Sequence, residues 1–224
     1  MAFMTRAART PLPANATPNR RQEASQRRRQ SILKAALDVF AAEGYEAARL
    51  DDVAAKAGVA KGTIYLFFKD KEDLFEQLLI GTMSPVLAKI EGMANERLMP
   101  LNDMLSALFA FFQAEVLGTK RREVIRLVLT EGRRFPRIAE IYHREVISKG
   151  LALVARIARQ AHKRGELSSG DLATYPQLVF APLLMSLIWD GLFSRHDPLD
   201  VEGLLAAHRR LLTAGGNPAR QSKA

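Results

Sequence analysis

The stretch that most narrows what this chain can fold into is residues 57–71, AGVAKGTIYLFFKDK. Gly58 stands where a helix must stop and the chain must turn, a place for a residue free to take positive φ. Val59 follows as a small apolar plug between two helices. The spacing then predicts a short helix over 60–68, with Ile64 and Phe68, four apart, as its inner face. Lys61, Thr63, Tyr65 and Phe67 are left for the outer side, and Gly62 leaves a gap for close approach. A cation, a hydroxyl and a phenol on one exposed helix suit a DNA duplex. Lysine reaches phosphate or guanine acceptors, threonine offers hydroxyl and methyl, and tyrosine donates to phosphate.

The flanking residues extend this into a pattern over three helices: Gly44-Tyr45, Val53-Ala54, Ala57-Gly58-Val59, Gly62-Thr63-Ile64-Tyr65, Phe67-Phe68, Lys71-Glu72 and Leu74. Over residues 28–79 the chain resembles the DNA-binding domain of TetR/AcrR-family transcriptional regulators. It departs from the family pattern at Ala48-Arg49 and at Ala60, where the family often carries a Ser or Thr able to cap a helix or touch phosphate. The resemblance implies a DNA contact set of Arg49, Ala60, Lys61, Gly62, Thr63, Tyr65, Leu66, Phe67, Lys69 and Lys71. In that set Lys71 takes the place of the family's phosphate-binding lysine, and Lys61 and Thr63 read bases.

The rest of the sequence reads as helical, with no alternating strand pattern and no internal repeat. The first helix is expected over 25–43, ended by Gly44, and the second over 50–57, with Asp51 and Asp52 at its positive end. A fourth helix is capped by Asp70 and carries Pro85, which kinks or splits it. Further helices are expected over 104–117, 123–132, 137–164, 171–194 and 201–213. The predicted fold class is all-α: a three-helix helix-turn-helix unit (25–71), then a helical effector-binding and dimerisation unit (72–216). The boundary falls inside the fourth helix. Residues 1–24 read as a disordered basic arm and 217–224 as a disordered tail. Arg20, Arg21, Arg27, Arg28 and Arg29 either attract the duplex non-specifically or enter its minor groove.

Of 224 residues, 33 are Lys or Arg and 24 are Asp or Glu; the net charge of +9 favours polyanionic partners. There is no cysteine, which removes thiolate metal sites and Cys nucleophiles and fits a reducing, cytoplasmic setting. No secretory signal or membrane-length apolar run is present, so no membrane partner is expected. Lys61-Gly62-Thr63 has the wrong order for a phosphate-binding loop. His143, His162, His196 and His208 do not pair at ligand spacing, and no G-x-S-x-G elbow occurs. Neither an enzyme nor a cofactor is expected.

After residue 80 the helices hold many Met and aromatic residues. These are either core or the wall of a pocket. The resemblance favours a pocket for a small apolar or amphipathic molecule. Its candidate lining is Met83, Leu87, Met104, Leu108, Phe111, Phe112, Arg126, Ser186, Trp189 and Asp190. Arg126 and Asp190, charged within apolar runs, form a structural pair or else orient a ligand. The last two helices, with Leu204, Leu205, Leu211 and Leu212, resemble the family's dimer interface; they could equally close the monomer's core. The resemblance thus implies a homodimeric, ligand-responsive repressor on palindromic operator DNA; the alternative is a DNA-binding activator or architectural protein without a ligand.

Overall fold

The computed structural model describes residues 17–95 and 99–214, and every regular element among them is helical. The helices are α1 Thr17–Ala47, α2 Leu50–Ala57, α3 Lys61–Ile64, α4 Lys71–Asn95, α5 Leu101–Phe112, α6 Arg121–Glu131, α7 Pro136–Tyr142, α8 Ser148–Lys163, α9 Asp171–Thr174, α10 Gln177–Leu192 and α11 Val201–Thr213. A π turn, Gln113–Leu117, extends α5, and a second, His143–Ile147, joins α7 to α8. In the first, Gly118 N–H donates to the Gln113 carbonyl at 2.8 Å, the wide i→i+5 bond that defines such a turn.

Several elements differ from the sequence expectation for local reasons. Helix α1 begins at Thr17, so residues 17–24, expected in a disordered arm, are helical. Arg20, Arg21, Gln22, Glu23 and Ala24 are good helix formers, and Pro18 sits in the first turn, where it costs no hydrogen bond. Residues 1–16 and 215–224, which include the expected tail, lie outside the described residues. The single helix expected over 171–194 is broken at Tyr175 and Pro176, because proline drives its predecessor out of the helical region. Helix α3 is regular for only four residues. The chain then tightens: Leu66 N–H donates to Thr63 and Phe67 N–H to Ile64.

Two glycines fix the turns on either side of α2. Gly44 takes φ 78° and ψ 171°, a region closed to L side chains, and a Cβ there would lie 2.7 Å from Glu131 Oε1. Gly58, at φ 67° and ψ 34°, ends α2; its N–H donates to Ala55 and Val59 N–H to Ala54. Asp70 caps α4 by accepting from Asp73 N–H at 2.8 Å, while the Asp73 carboxylate accepts from Lys69 N–H at 2.9 Å.

Two apolar cores form. The first gathers α1–α3 and the first half of α4 with parts of α6 and α7, including Ile32, Phe40, Ile64, Phe68, Phe75 and Met83. The second gathers the second half of α4 with α5, α8, α10 and α11, including Val86, Ile90, Leu108, Val154, Leu183 and Leu205. Helix α4 runs unbroken through Pro85, which falls between Met83 of the first core and Val86 of the second. Proline has no N–H, so the i→i−4 bond from that position is missing.

Candidate functional site: a nucleic-acid interface and an apolar cavity

Ile64 and Phe68 are buried to 0% and 1% exposure, which turns the opposite side of the α3 segment outward. Tyr65 and Leu66 stand 52% and 81% exposed. Ala60, Lys61, Gly62 and Lys69 are also exposed, and Thr63 is half-buried. Phe67, expected on the outer side, is half-buried and packs on the first core, with its ring centroid 6.3 Å from that of Phe68. Arg49 is exposed at the start of α2; neither it nor Ala60, at the start of α3, caps its helix through a side chain. The hydroxyl contacts of the family pattern are therefore absent at both positions.

The two lysines of this face are held differently. Lys61 Nζ lies 2.8 Å from Asp51 Oδ1, and that hydrogen bond raises the ammonium pKa above the ordinary lysine value. Both partners are largely exposed, so the pair is easily exchanged for a stronger anion. Lys71 is committed inward: its Nζ donates to the carbonyls of Tyr45 (2.8 Å), Glu46 (2.9 Å) and Ala48 (3.2 Å) and sits 4.8 Å from the Tyr45 ring centroid. An ammonium has three protons, and all three are used. In this DNA-free structure Lys71 thus fastens the end of α1 and Ala48 to the start of α4. Arg29, counted with the basic arm, is likewise held: it lies 5.6 Å from the Phe68 ring centroid and donates to Gln77 Oε1 at 2.7 Å. Arg20, Arg21, Arg27 and Arg28 are exposed along α1.

Behind the reading unit lies a cavity of about 550 Å³, walled by α4, α5, α6, α7, α8, α10 and the His143–Ile147 turn. Met83, Leu87, Leu108 and Phe112 of the expected set line it. The other six do not. Met104 lines a much smaller gap beside α5, and Phe111 packs on the second core. Ser186 is 1% exposed and donates to the Pro182 carbonyl at 2.8 Å. Trp189 Nε1 donates to the Asp197 carbonyl at 2.6 Å. Arg126 Nη2 pairs with Asp190 Oδ2 at 2.6 Å and Nη1 with Glu123 at 3.2 Å, which makes the pair structural.

Sequence reasoning missed the wall supplied by Ala139, Tyr142, Val146, Ile147, Gly150, Leu151 and Val154. Their apolar spacing of three and four was legible as one helix face. Of the lining side chains only Tyr142, His143 and Gln177 are polar, and no Asp, Glu, Lys or Arg is among them. Burial pushes the Tyr142 phenol up to about 12.

Ion pairs tie the cavity wall to the reading unit. Arg134 Nη1 pairs with Glu46 at 2.5 Å, Arg137 Nε with Glu72 at 2.8 Å, and Arg144 with Glu76. On the far side, Leu178, Met185 and Leu192 are exposed at seven-residue spacing along α10, and Leu211 of α11 is 74% exposed. Leu205 is buried and Leu212 packs on the second core, so two of the four leucines expected at a dimer interface serve the monomer instead. Among the described residues no group of His, Asp and Glu could hold a metal ion, and no helix is long and apolar enough to cross a membrane.

A sequence model of bacterial regulatory proteins of the tetR family matches residues 32–78, and one of the tetracyclin repressor-like C-terminal domain matches residues 101–207. The uncharacterized HTH-type transcriptional regulator YhgD of Bacillus subtilis (strain 168) is 31% identical over 179 residues, covering 78% of this chain and 89% of that protein. Among solved structures, the transcriptional regulator FadR from Bacillus subtilis in complex with stearoyl-CoA superposes with a TM-score of 0.68 at 25% identity, over 83% of this chain and 98% of FadR. A TetR-family regulator structure from Mesorhizobium loti MAFF303099 shares the fold, with a TM-score of 0.69 at 23% identity over 84% of this chain and 96% of that one.

Proposed function

The chain belongs to the TetR family of DNA-binding transcriptional regulators, and on that premise we propose that it is a repressor, a homodimer that occupies a palindromic operator and is released by a small apolar or amphipathic molecule. The observation that carries this reading is the path of α4: one helix begins beside the exposed reading face and goes on to line a cavity of about 550 Å³ with Met83, Val86, Leu87 and Ile90. The DNA-binding unit is 25–71 and the effector and dimerisation unit 72–216, so their boundary is a shared helix rather than a linker.

In this reading Lys61 leaves Asp51 to reach a base edge. Thr63 and Leu66 meet bases or the thymine methyl, and Tyr65, Lys69 and Arg49 meet phosphate. Lys71 supports this surface from behind by holding the loop that carries Arg49. Two copies joined through α10 and α11 present two reading faces about one helical turn apart, ~34–36 Å, or somewhat more. That the effector carries an apolar chain draws support from the FadR relative, whose structure is a complex with stearoyl-CoA. The effector acts by preferring a conformation whose reading faces are wrongly spaced; typical coupling changes DNA affinity by roughly 5–150-fold.

A gel-shift assay of the purified protein on DNA upstream of its own gene tests the proposal. Wild type should shift that DNA as a dimer, and Lys61→Ala should weaken operator binding by about ten-fold or more and relax preference at one position of each half-site. Recovery of the same motif by wild type and variant in a binding-site selection would exclude Lys61 from base reading. A wild-type monomer in sedimentation at micromolar concentration would exclude the operator model.

A further inference from the structure

Tyr142 occupies an unusual place. It packs against the first core and against the second, and it also lines the cavity. Its hydroxyl makes no hydrogen bond to any described residue, although burial keeps the phenol protonated far beyond neutral pH. The side chain is half-buried and its hydroxyl is not sealed from solvent, so it is free to donate to a guest in the cavity that Tyr142 lines.

The rest of the wall states what the partner cannot be. Apart from Tyr142, the lining is apolar except for His143 and Gln177, and both of these are exposed to solvent. No carboxylate stands ready for a cation and no Lys or Arg for an anion. A charge carried past this mouth would lose its hydration with no opposite charge to replace it. A cavity of about 550 Å³ lies within the usual range for small-molecule sites.

We propose that the effector is an uncharged amphiphile, an apolar chain or ring system with one hydrogen-bond acceptor such as an ester or ketone carbonyl, and that the Tyr142 hydroxyl donates to that acceptor. The inference rests on the cavity being the effector site. It adds the charge class of the ligand and the residue that anchors it. Because Tyr142 touches both cores, the side chain that reads the ligand is also the one whose displacement disturbs the packing of α7 on α4.

The test uses the neutral fluorophore N-phenyl-1-naphthylamine, displaced by methyl decanoate, decanoate or decyltrimethylammonium, probes of equal chain length. With the full-length dimer at neutral pH, methyl decanoate should displace the fluorophore at least ten-fold more effectively than either charged probe. Tyr142→Phe, which keeps the ring, should weaken methyl decanoate about three- to ten-fold and leave fluorophore affinity within about two-fold. Decanoate or decyltrimethylammonium competing as well as the ester overturns the assignment of charge class. An unchanged ester affinity in Tyr142→Phe, with fluorophore binding intact, overturns the anchor. Failure of wild type to bind the fluorophore or any probe overturns the cavity as an effector site, and this proposal with it.

Discussion

The two cores of this molecule are built to different standards. The first is dense: the Phe40 and Tyr45 rings stack at 5.6 Å, and Phe75 meets both edge-on at 5.8 and 5.5 Å. Ile32, Phe40, Ile64, Phe68, Leu74, Phe75 and Leu79 are all at most 1% exposed. The second supplies most of the cavity wall, which Met83 and Val146 of the first help complete, and its Leu108 and Phe112 face open space on one side. A reading surface has to hold its side chains at fixed positions, and close packing does that. A site that admits a guest forgoes the cohesion of a filled interior. The expectation is that stability resides mainly in the first core, while adaptability belongs to the second.

That contrast can be broken most directly by truncation. Phe75→Ala should cost about 3–5 kcal/mol, as for other fully buried aromatics. Leu87→Ala, at a wall that already borders a void, should cost only about 1 kcal/mol. Equal losses in urea denaturation would show that the cavity wall is as tightly built as the reading unit. The next largest effect is one of pH. Below pH 10 the Tyr142 phenol is neutral in folded and unfolded chains alike. Above it only the unfolded chain ionises, so stability should fall between pH 10 and about 12, by roughly 2–3 kcal/mol from this group. Tyr142→Phe should flatten that part of the profile; an unchanged profile would place the phenol in contact with bulk water.

Lys71→Met keeps the stem and deletes three hydrogen bonds, so it should lower stability by about 1–3 kcal/mol, even with no DNA present. A variant as stable as wild type but unable to bind DNA would return Lys71 to the phosphate role that its motif position implies. The smallest effect belongs to the exposed ion pairs. Arg137→Ala should lower Tm by at most about two degrees. Its informative readout is the salt dependence of the proposed ligand-induced DNA release, since the Arg134, Arg137 and Arg144 pairs join the cavity wall to the reading unit.

The legibility of the sequence divides along the same line. The reading unit was readable because its signals are local: glycine at a helix end, acid in a first turn, two apolar residues four apart. Gly58 takes its left-handed turn and Ile64 and Phe68 are inward, as expected. The fate of Lys71 was not readable, because it depends on the carbonyls of Tyr45, Glu46 and Ala48 arriving from another helix. The cavity was legible only in part. Met83, Leu87, Leu108 and Phe112 line it, but Met104 and Phe111 have the same chemistry and lie elsewhere. A wall residue and a core residue look alike until the opposite wall is placed. Arg126, Ser186 and Asp190 stood out as polar residues in apolar runs, yet their partners are structural.

On the proposed function, helix α4 would act as a lever with its joint at Pro85. Its 25 residues span both cores, and the missing hydrogen bond at Pro85 lies where one core gives way to the other. At about 1.5 Å per residue, the arm from Pro85 to Lys71 is roughly 21 Å long. A bend of about 5° at that joint swings its tip by roughly 2 Å. In a two-fold symmetric dimer the two tips would swing in rotation-related senses, and the span between reading faces would change by up to about 4 Å against a fixed repeat of ~34–36 Å. On the proposed function, so small an angular displacement would be enough to put the two reading surfaces of a dimer out of step with one operator.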